Sequence, residues 1–350
     1  MKKFRGAGYN ASRGTLVTIC GRPAALVVLL FACAGCAERT VAEETEGDIR
    51  STSERLIFGA DDRKEYGEAL GDPLLAPFAQ RANSVPILVR AADVSCTGAT
   101  CNLATSPWVM QKVIESGPLV PLCNGVRYRG EPQFGTSCSG FLVAPNKIAT
   151  ADHCISEVPC SGLKIVFGFV VAANGGAAPT SVPSADVYQC ASVSAESAPE
   201  DWAILTLDRV VSGPRPPLNV ARNSAVALNA ALSIIGYPNG VPVKISPTGT
   251  VTGISDAVMF SHNVDAFNGN SGGPVFDSMG VVQGIHDKGP DSAEHFTGDP
   301  NGSGCLIAQT CNESGCPPTV GDTFSEAVRV TRLSNQIPLT PVLTSLVAQL

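Results

Sequence analysis

The chain has 350 residues, 44% of them hydrophobic and only 16% charged, which supplies one or two sizeable cores and excludes a disordered or fibrous protein. Its 24 basic residues against 31 acidic ones give a net charge of −7, a balance that makes nucleic acid and anionic lipid poor partners. Glycine (35) and proline (26) punctuate short apolar runs rich in Val, Ile, Leu and Thr, the pattern of strands and turns rather than long helices.

In chain order, residues 1–35 carry Lys2, Lys3, Arg5, Arg13 and Arg22, no acid, and an apolar stretch from Ala24 to Ala34. A cationic start followed by an apolar core too short to remain as a membrane span reads as an export signal. Ala34-Gly35-Cys36 resembles the lipobox of bacterial lipoproteins. That resemblance implies acylation of Cys36 and a lipid anchor at the cell envelope; cleavage by an ordinary signal peptidase nearby would instead give a secreted protein. Losing the five basic residues of the signal leaves 19 against 31 acids, a net −12, suited to solubility. Residues 36–55 are acid-rich, with Glu38, Glu43, Glu44, Glu46, Asp48 and Glu54, and read as a flexible tether. A globular domain is expected over 56–350.

Of the thirteen cysteines, setting aside Cys20, Cys33 and Cys36 leaves ten. An even set in an exported chain implies five disulfides formed in an oxidising compartment. Cys305, Cys311 and Cys316 lack the paired C-x-x-C spacing of a zinc site, and no metal or other cofactor is expected.

Strands are expected at Val85 to Arg90, Gly140 to Ala144, Lys147 to Ala151, Leu163 to Ala172, Trp202 to Leu207, Ala231 to Gly236, Val243 to Ile254, Val258 to His262, Gly273 to Phe276 and Val281 to Ile285. Many short strands between Gly/Pro turns indicate an all-β sandwich or barrel. Only the end reads as helical: Thr340 as cap, Pro341 in the first turn, and Val342, Leu343, Leu346, Val347 and Leu350 on one face.

Three short blocks carry chemistry. Ser271 sits in Gly269-Asn270-Ser271-Gly272-Gly273-Pro274, where small residues permit a sharp turn that brings the Gly269 and Ser271 amides to one point. A serine hydroxyl is a weak nucleophile and needs both a base and such amides aimed at the developing oxyanion. His153 follows an apolar strand in Thr150-Ala151-Asp152-His153-Cys154, and its two ring nitrogens suit it to accept the serine proton while donating to a carboxylate. Asp201 opens Asp201-Trp202-Ala203-Ile204-Leu205-Thr206-Leu207 and is the expected carboxylate. Asp208 closes the same strand and reads as a turn residue, and Asp152 is poorly placed to reach its own neighbour's ring.

These blocks, in the order His, Asp, Ser, resemble the three signature blocks of the chymotrypsin/trypsin family over roughly Leu56 to Leu333. The resemblance implies two antiparallel six-stranded β-barrels with the triad in the cleft between them, and a serine endopeptidase acting on proteins or peptides, expected as a monomer. Cys138 and Cys154 are similar to the disulfide that staples the histidine loop in that family. Ile57 to Arg63, Gly236 to Lys244 and Asp265 to Asn270 resemble the bacterial branch that includes the glutamyl endopeptidases. Asn270 stands where animal enzymes carry the Asp that pairs with a freed N-terminus, so no such ion pair is expected.

The specificity residues point two ways. Asp265, six before Ser271, matches the acid with which trypsins bind Lys or Arg, whereas His286 matches the histidine with which glutamyl endopeptidases bind acidic substrates. The family's usual Ser-x-Gly after this strand is replaced by Asp287-Lys288-Gly289, and no preference is assigned. Two other functions fit parts of the pattern. Gly269-x-Ser271-x-Gly273 also satisfies the nucleophile elbow of an α/β-hydrolase esterase, with His286, His295 and Asp291 downstream, though a strand rather than a helix is expected after it. A protease-like binding module without activity would typically lack a member of the triad, and all are present.

Overall fold

The computed structural model describes residues 55–339 except 113–116, 224–225, 255, 290–295 and 317–323. The expected signal, all but the last residue of the tether, Cys36, Asp291, His295 and the C-terminal helix lie outside the described residues. Among the described residues, no helix is long and apolar enough to cross a membrane.

Two antiparallel barrels form the fold. In the first, strands Ile87–Arg90, Leu163–Val166, Val187–Ser197, Trp202–Leu207 and Lys147–Thr150 pair in that order. Ser137–Ser139 pairs back onto Ile87–Arg90, and Phe141–Ala144 pairs onto Lys147–Thr150. These last two are halves of one chain passage broken at Gly140, so these seven segments close a six-stranded barrel.

The second barrel closes the same way. Strands Met259–His262, Ser325–Arg329, Val282–Lys288, Pro274–Asp277 and Leu232–Gly236 follow one another. Lys244–Ser246 and Val251–Gly253 are two halves of the sixth, which pair with Leu232–Gly236 and Met259–His262 respectively. An Ala231–Thr250 bridge carries the pairing of Leu232–Gly236 on to the second half and so closes the seam. Lys64–Glu65 adds a short edge strand. Register shifts at Leu142/Ala144, Val251/Gly253 and His286/Lys288 mark bulges, the irregularities that let a sheet curl on itself.

Alternation within the strands explains why they read as unbroken apolar runs. Leu88, Leu142, Ile148, Ile165 and Leu205 line the first barrel, and Ile234, Val251, Phe260 and Val275 line the second. The opposite faces, Ile87, Val89, Phe141, Val143, Ala149 and Ile204 from one barrel and Ile235, Tyr237, Ile245, Phe276 and Ile285 from the other, share a third cluster between them. Both faces are therefore buried, the situation in which period-2 patterning vanishes. Tyr237 crosses the junction, its hydroxyl donating to the Val85 carbonyl at 2.8 Å.

Three sequence expectations are corrected. Leu163 to Ala172 ends as a strand at Val166, because the chain turns at Gly168 with φ +76°. Val243 to Ile254 divides into its two halves. Helix occurs where none was expected: Tyr66–Gly71, Ala76–Ala82 and His153–Glu157 are helical, each too short to show a 3.6-residue periodicity. All ten cysteines from Cys96 onward are paired, as Cys96–Cys101, Cys123–Cys305, Cys138–Cys154, Cys160–Cys190 and Cys311–Cys316.

Gly140 has no room for a side chain: a Cβ there would lie 2.7 Å from Ile148 and 2.9 Å from Leu88, both immobilised in the barrel interior. Gly140→Ala should lower unfolding free energy by about 1–3 kcal/mol, measured by denaturant titration. An unchanged midpoint would show that the barrel junction yields more easily than its packing suggests.

Candidate active site

His153 opens the short helix His153–Glu157 at the end of strand Lys147–Thr150, and the Cys138–Cys154 disulfide fixes its neighbour. Asp201 precedes strand Trp202–Leu207, whose Ala203 is the ladder partner of Thr150. Pairing these two strands therefore brings their ends, and the two side chains, to one place. Asp201 adopts φ +50° and ψ +54°, a left-handed conformation that is uncommon for a residue with a Cβ but tolerated best by Asp and Asn.

That backbone turns the Asp201 carboxylate onto His153 twice. Oδ1 accepts from the His153 amide at 2.8 Å, and Oδ2 lies 2.7 Å from ring Nδ1. Burial opposes ionisation of Asp201, yet hydrogen bonds from His153 and Asp287 and the charge of His153 hold its carboxyl well below the usual range. An ionised partner at Nδ1 assigns the ring proton to that nitrogen and leaves Nε2 as the acceptor of the neutral imidazole.

Ser271 is 5% exposed and lines the same cleft, of about 520 Å³, as His153 and Gly269. Its turn has Gly269 at φ +90° and Gly272 at φ +81°. At Gly272 a Cβ would also strike Thr150 and the Ser139 carbonyl, so glycine is required there on both counts. The Asn270 amide is tied to the Phe267 carbonyl and the Gly272 amide to the His286 carbonyl, both inside the fold. Gly269 and Ser271 are the members of the turn that line the cleft.

Ser139, unmarked in the sequence, clamps this turn. Its amide donates to the Ser271 carbonyl at 2.8 Å and its hydroxyl to the Gly269 carbonyl at 2.6 Å. The hydroxyl also accepts from the Tyr237 amide at 3.0 Å, while the Ser139 carbonyl accepts from the Thr150 hydroxyl at 2.8 Å. A serine inside Cys138-Ser139-Gly140 carries no sequence signal for such a role; only the meeting of the barrels reveals it.

The remaining candidates fall elsewhere. Asp152 is buried beside the helix, its carboxyl raised by burial and by the charge of Asp201, and bonds to Ser156 rather than to the ring. Asp208 pairs with Arg209 at the surface. Asp265 does not line the cleft; it is buried beneath strand Arg55–Phe58, where Oδ1 accepts from the Phe58 amide at 2.7 Å. His286 is fully buried, with Nδ1 3.2 Å from Nε2 of His262, a partner the sequence did not mark.

For a cation, His153, Asp201 and Asp287 place ligand atoms within 4.8 Å of one another. Asp201 already spends both oxygens on His153 N–H groups, which favours a hydrogen-bonded relay over a metal centre. Among the described residues, the other clusters of this kind contain disulfide-bonded cysteines, whose sulfurs are not thiolates.

Two closed antiparallel barrels with an acid, an imidazole and a hydroxyl at their junction define the chymotrypsin-type fold. Residues 138–285 match the trypsin-like peptidase domain family. No curated protein matches the chain. Among solved structures it is similar to a Glu endopeptidase in complex with MPD, at 17% identity and a TM-score of 0.45, covering 80% of this chain and 96% of that one. It is also similar to an inactive mutant of Rv3671c from M. tuberculosis, at 13% identity and a TM-score of 0.41, covering 77% and 95%.

Asp265 generates a stability prediction. Burial pushes its carboxyl up to about 8, against the Phe58 amide and Arg63, which favour the charge. Between an ordinary carboxylate value of about 4 and about 8, the folded protein keeps a proton that the unfolded chain releases. Stability therefore falls as pH rises through that window and levels off above it. Asp265→Asn cannot titrate, so its melting temperature relative to wild type should climb from pH 5 to pH 8 by several degrees. A difference independent of pH would show that Asp265 is not held protonated.

Proposed function

We propose that this protein is a serine endopeptidase in which Ser271 attacks the substrate carbonyl, His153 takes and returns the proton, and Asp201 orients the imidazole. The observation that carries the reading is the double engagement of His153 by Asp201, at its amide and at Nδ1, beside a cleft that Ser271 also lines. With Nδ1 donating to the carboxylate, Nε2 serves as the base, and the imidazolium formed as Ser271 attacks is stabilised by the buried charge of Asp201. The Gly269 and Ser271 amides form the oxyanion hole, exploiting a turn whose glycines allow the backbone to approach. An acyl-enzyme on Ser271 follows, which water then hydrolyses by the same relay in reverse.

The esterase reading is disfavoured because Ser271 leads through Gly272 and Gly273 into strand Pro274–Asp277, whereas a nucleophile elbow requires a helix at that point. Position argues against Asp265 as a trypsin-type specificity acid, since it is covered by strand Arg55–Phe58.

A serine-directed phosphonate should label Ser271 and stop peptide hydrolysis, whereas chelators should leave it running; the opposite pattern would overturn the mechanism. His153→Ala and Ser271→Ala should each lower turnover by about 10⁴-fold or more, and Asp201→Asn by about 10⁴-fold. Because the three act as a unit, the double variant His153→Ala/Ser271→Ala should lose little beyond either single one. An active His153→Ala protein would rule out this triad.

A further inference from the structure

The strand that ends beside the triad breaks register at one residue. In Val282–Lys288, His286 pairs with Ala327 and Lys288 pairs with Glu326, the next position back on the partner strand. Asp287 is the surplus residue of this bulge, an arrangement that re-aims a side chain. Its carboxyl is 13% exposed, with Oδ1 3.9 Å from Nδ1 of His153, and its carboxylate stands within 4.8 Å of that of Asp201. Two carboxyl groups this close oppose each other's ionisation, and a proton on one of them removes the repulsion and supplies a donor to the other. Asp201 receives two N–H groups from His153, which favours its ionised form and leaves the proton on Asp287.

We propose that Asp287 is a positioning residue of the His153–Asp201 base, a carboxylic acid that donates its proton to Asp201 and so makes the orienting group of this site a carboxyl–carboxylate pair. The proposal builds on the serine-peptidase reading above. Where the chymotrypsin/trypsin pattern has Ser-x-Gly, this chain has Asp287-Lys288-Gly289, replacing a hydroxyl donor with one that ionises.

The surrounding charges keep that proton in place. On the same strand, Lys288 is engaged by Glu326 of the neighbouring strand at 3.5 Å. Before Asp201, Glu200 pairs with Arg332. Before the histidine helix, Asp152 is itself pushed up by burial and by the charge of Asp201, with Glu196 adding to it. The environment is acidic, and a second ionised carboxyl beside Asp201 is opposed by its charge. Once Asp287 does ionise, the added negative charge lies close to Nδ1 and favours the imidazolium. Asp287 and His153 are therefore coupled, and their protons leave in macroscopic steps that belong to the set.

The test is a histidine ¹⁵N NMR titration of His153 in the wild-type protein and in Asp287→Asn, which keeps an N–H donor and cannot ionise. Wild type should titrate over a broadened range, with a midpoint at least about half a pH unit above that of the variant, which should follow a single ionisation. Superimposable curves would overturn the proposal. In peptide hydrolysis, Asp287→Ala should lower turnover by about tenfold and Asp287→Ser, which restores a hydroxyl donor, should recover most of it; an Asp287→Ala protein as fast as wild type would also overturn it. The titration needs no turnover. A shifted His153 in a protein whose Ser271 takes no phosphonate would retire the peptidase reading and uphold the carboxyl pair, while normal labelling with superimposed titrations would retire the pair alone.

Discussion

A buried negative charge has to be satisfied where the two strand ends meet, and much of the local architecture follows from that requirement. Asp201 meets it only from a left-handed backbone position, which interrupts the chain before Trp202 and turns the carboxylate toward the histidine helix. The His153 amide, being one of the orphan donors of a helix start, is available to it; the ring supplies the second bond. Strand pairing between Lys147–Thr150 and Trp202–Leu207 holds both parties in place, and the adjacent disulfide restrains the helix they share.

Ser271 belongs to the other barrel, so the proposed relay works only if the barrels keep a fixed relation. Ser139 gives that relation a polar component. Its backbone and hydroxyl bond to the Ser271 turn and to Tyr237 of the second barrel, while its carbonyl is bonded by Thr150 of the first. The apolar component is the cluster shared between the barrels, whose loss of register would displace Ser271 relative to His153.

Much of this was legible in the sequence because it is local. The blocks around His153, Asp201 and Ser271 each hold a catalytic-type residue at a strand end, and the apolar strands are visible as runs because both faces are buried. Strand Val187–Ser197 carries no such signal because beyond Cys190 most of its residues are polar or small and none is fully buried, resembling a loop. Ser139 and His262 act through contacts across long stretches of chain, for which no local pattern exists. Asp287 was visible as a departure from Ser-x-Gly, but the bulge that aims it was not, since register depends on the partner strand. Asp265 shows the converse: its spacing from Ser271 suggested a pocket acid, and spacing is blind to strand Arg55–Phe58 lying over it.

The Cys123–Cys305 disulfide closes a loop of 182 residues, and His153, Asp201 and Ser271 all fall within it. A single nick anywhere between these cysteines therefore yields no separable fragments: the two pieces stay covalently joined through the bridge and, if the barrels hold, the site stays assembled. Such a nicked protein would run as one chain until reduced. That topology separates being cut from being dismantled.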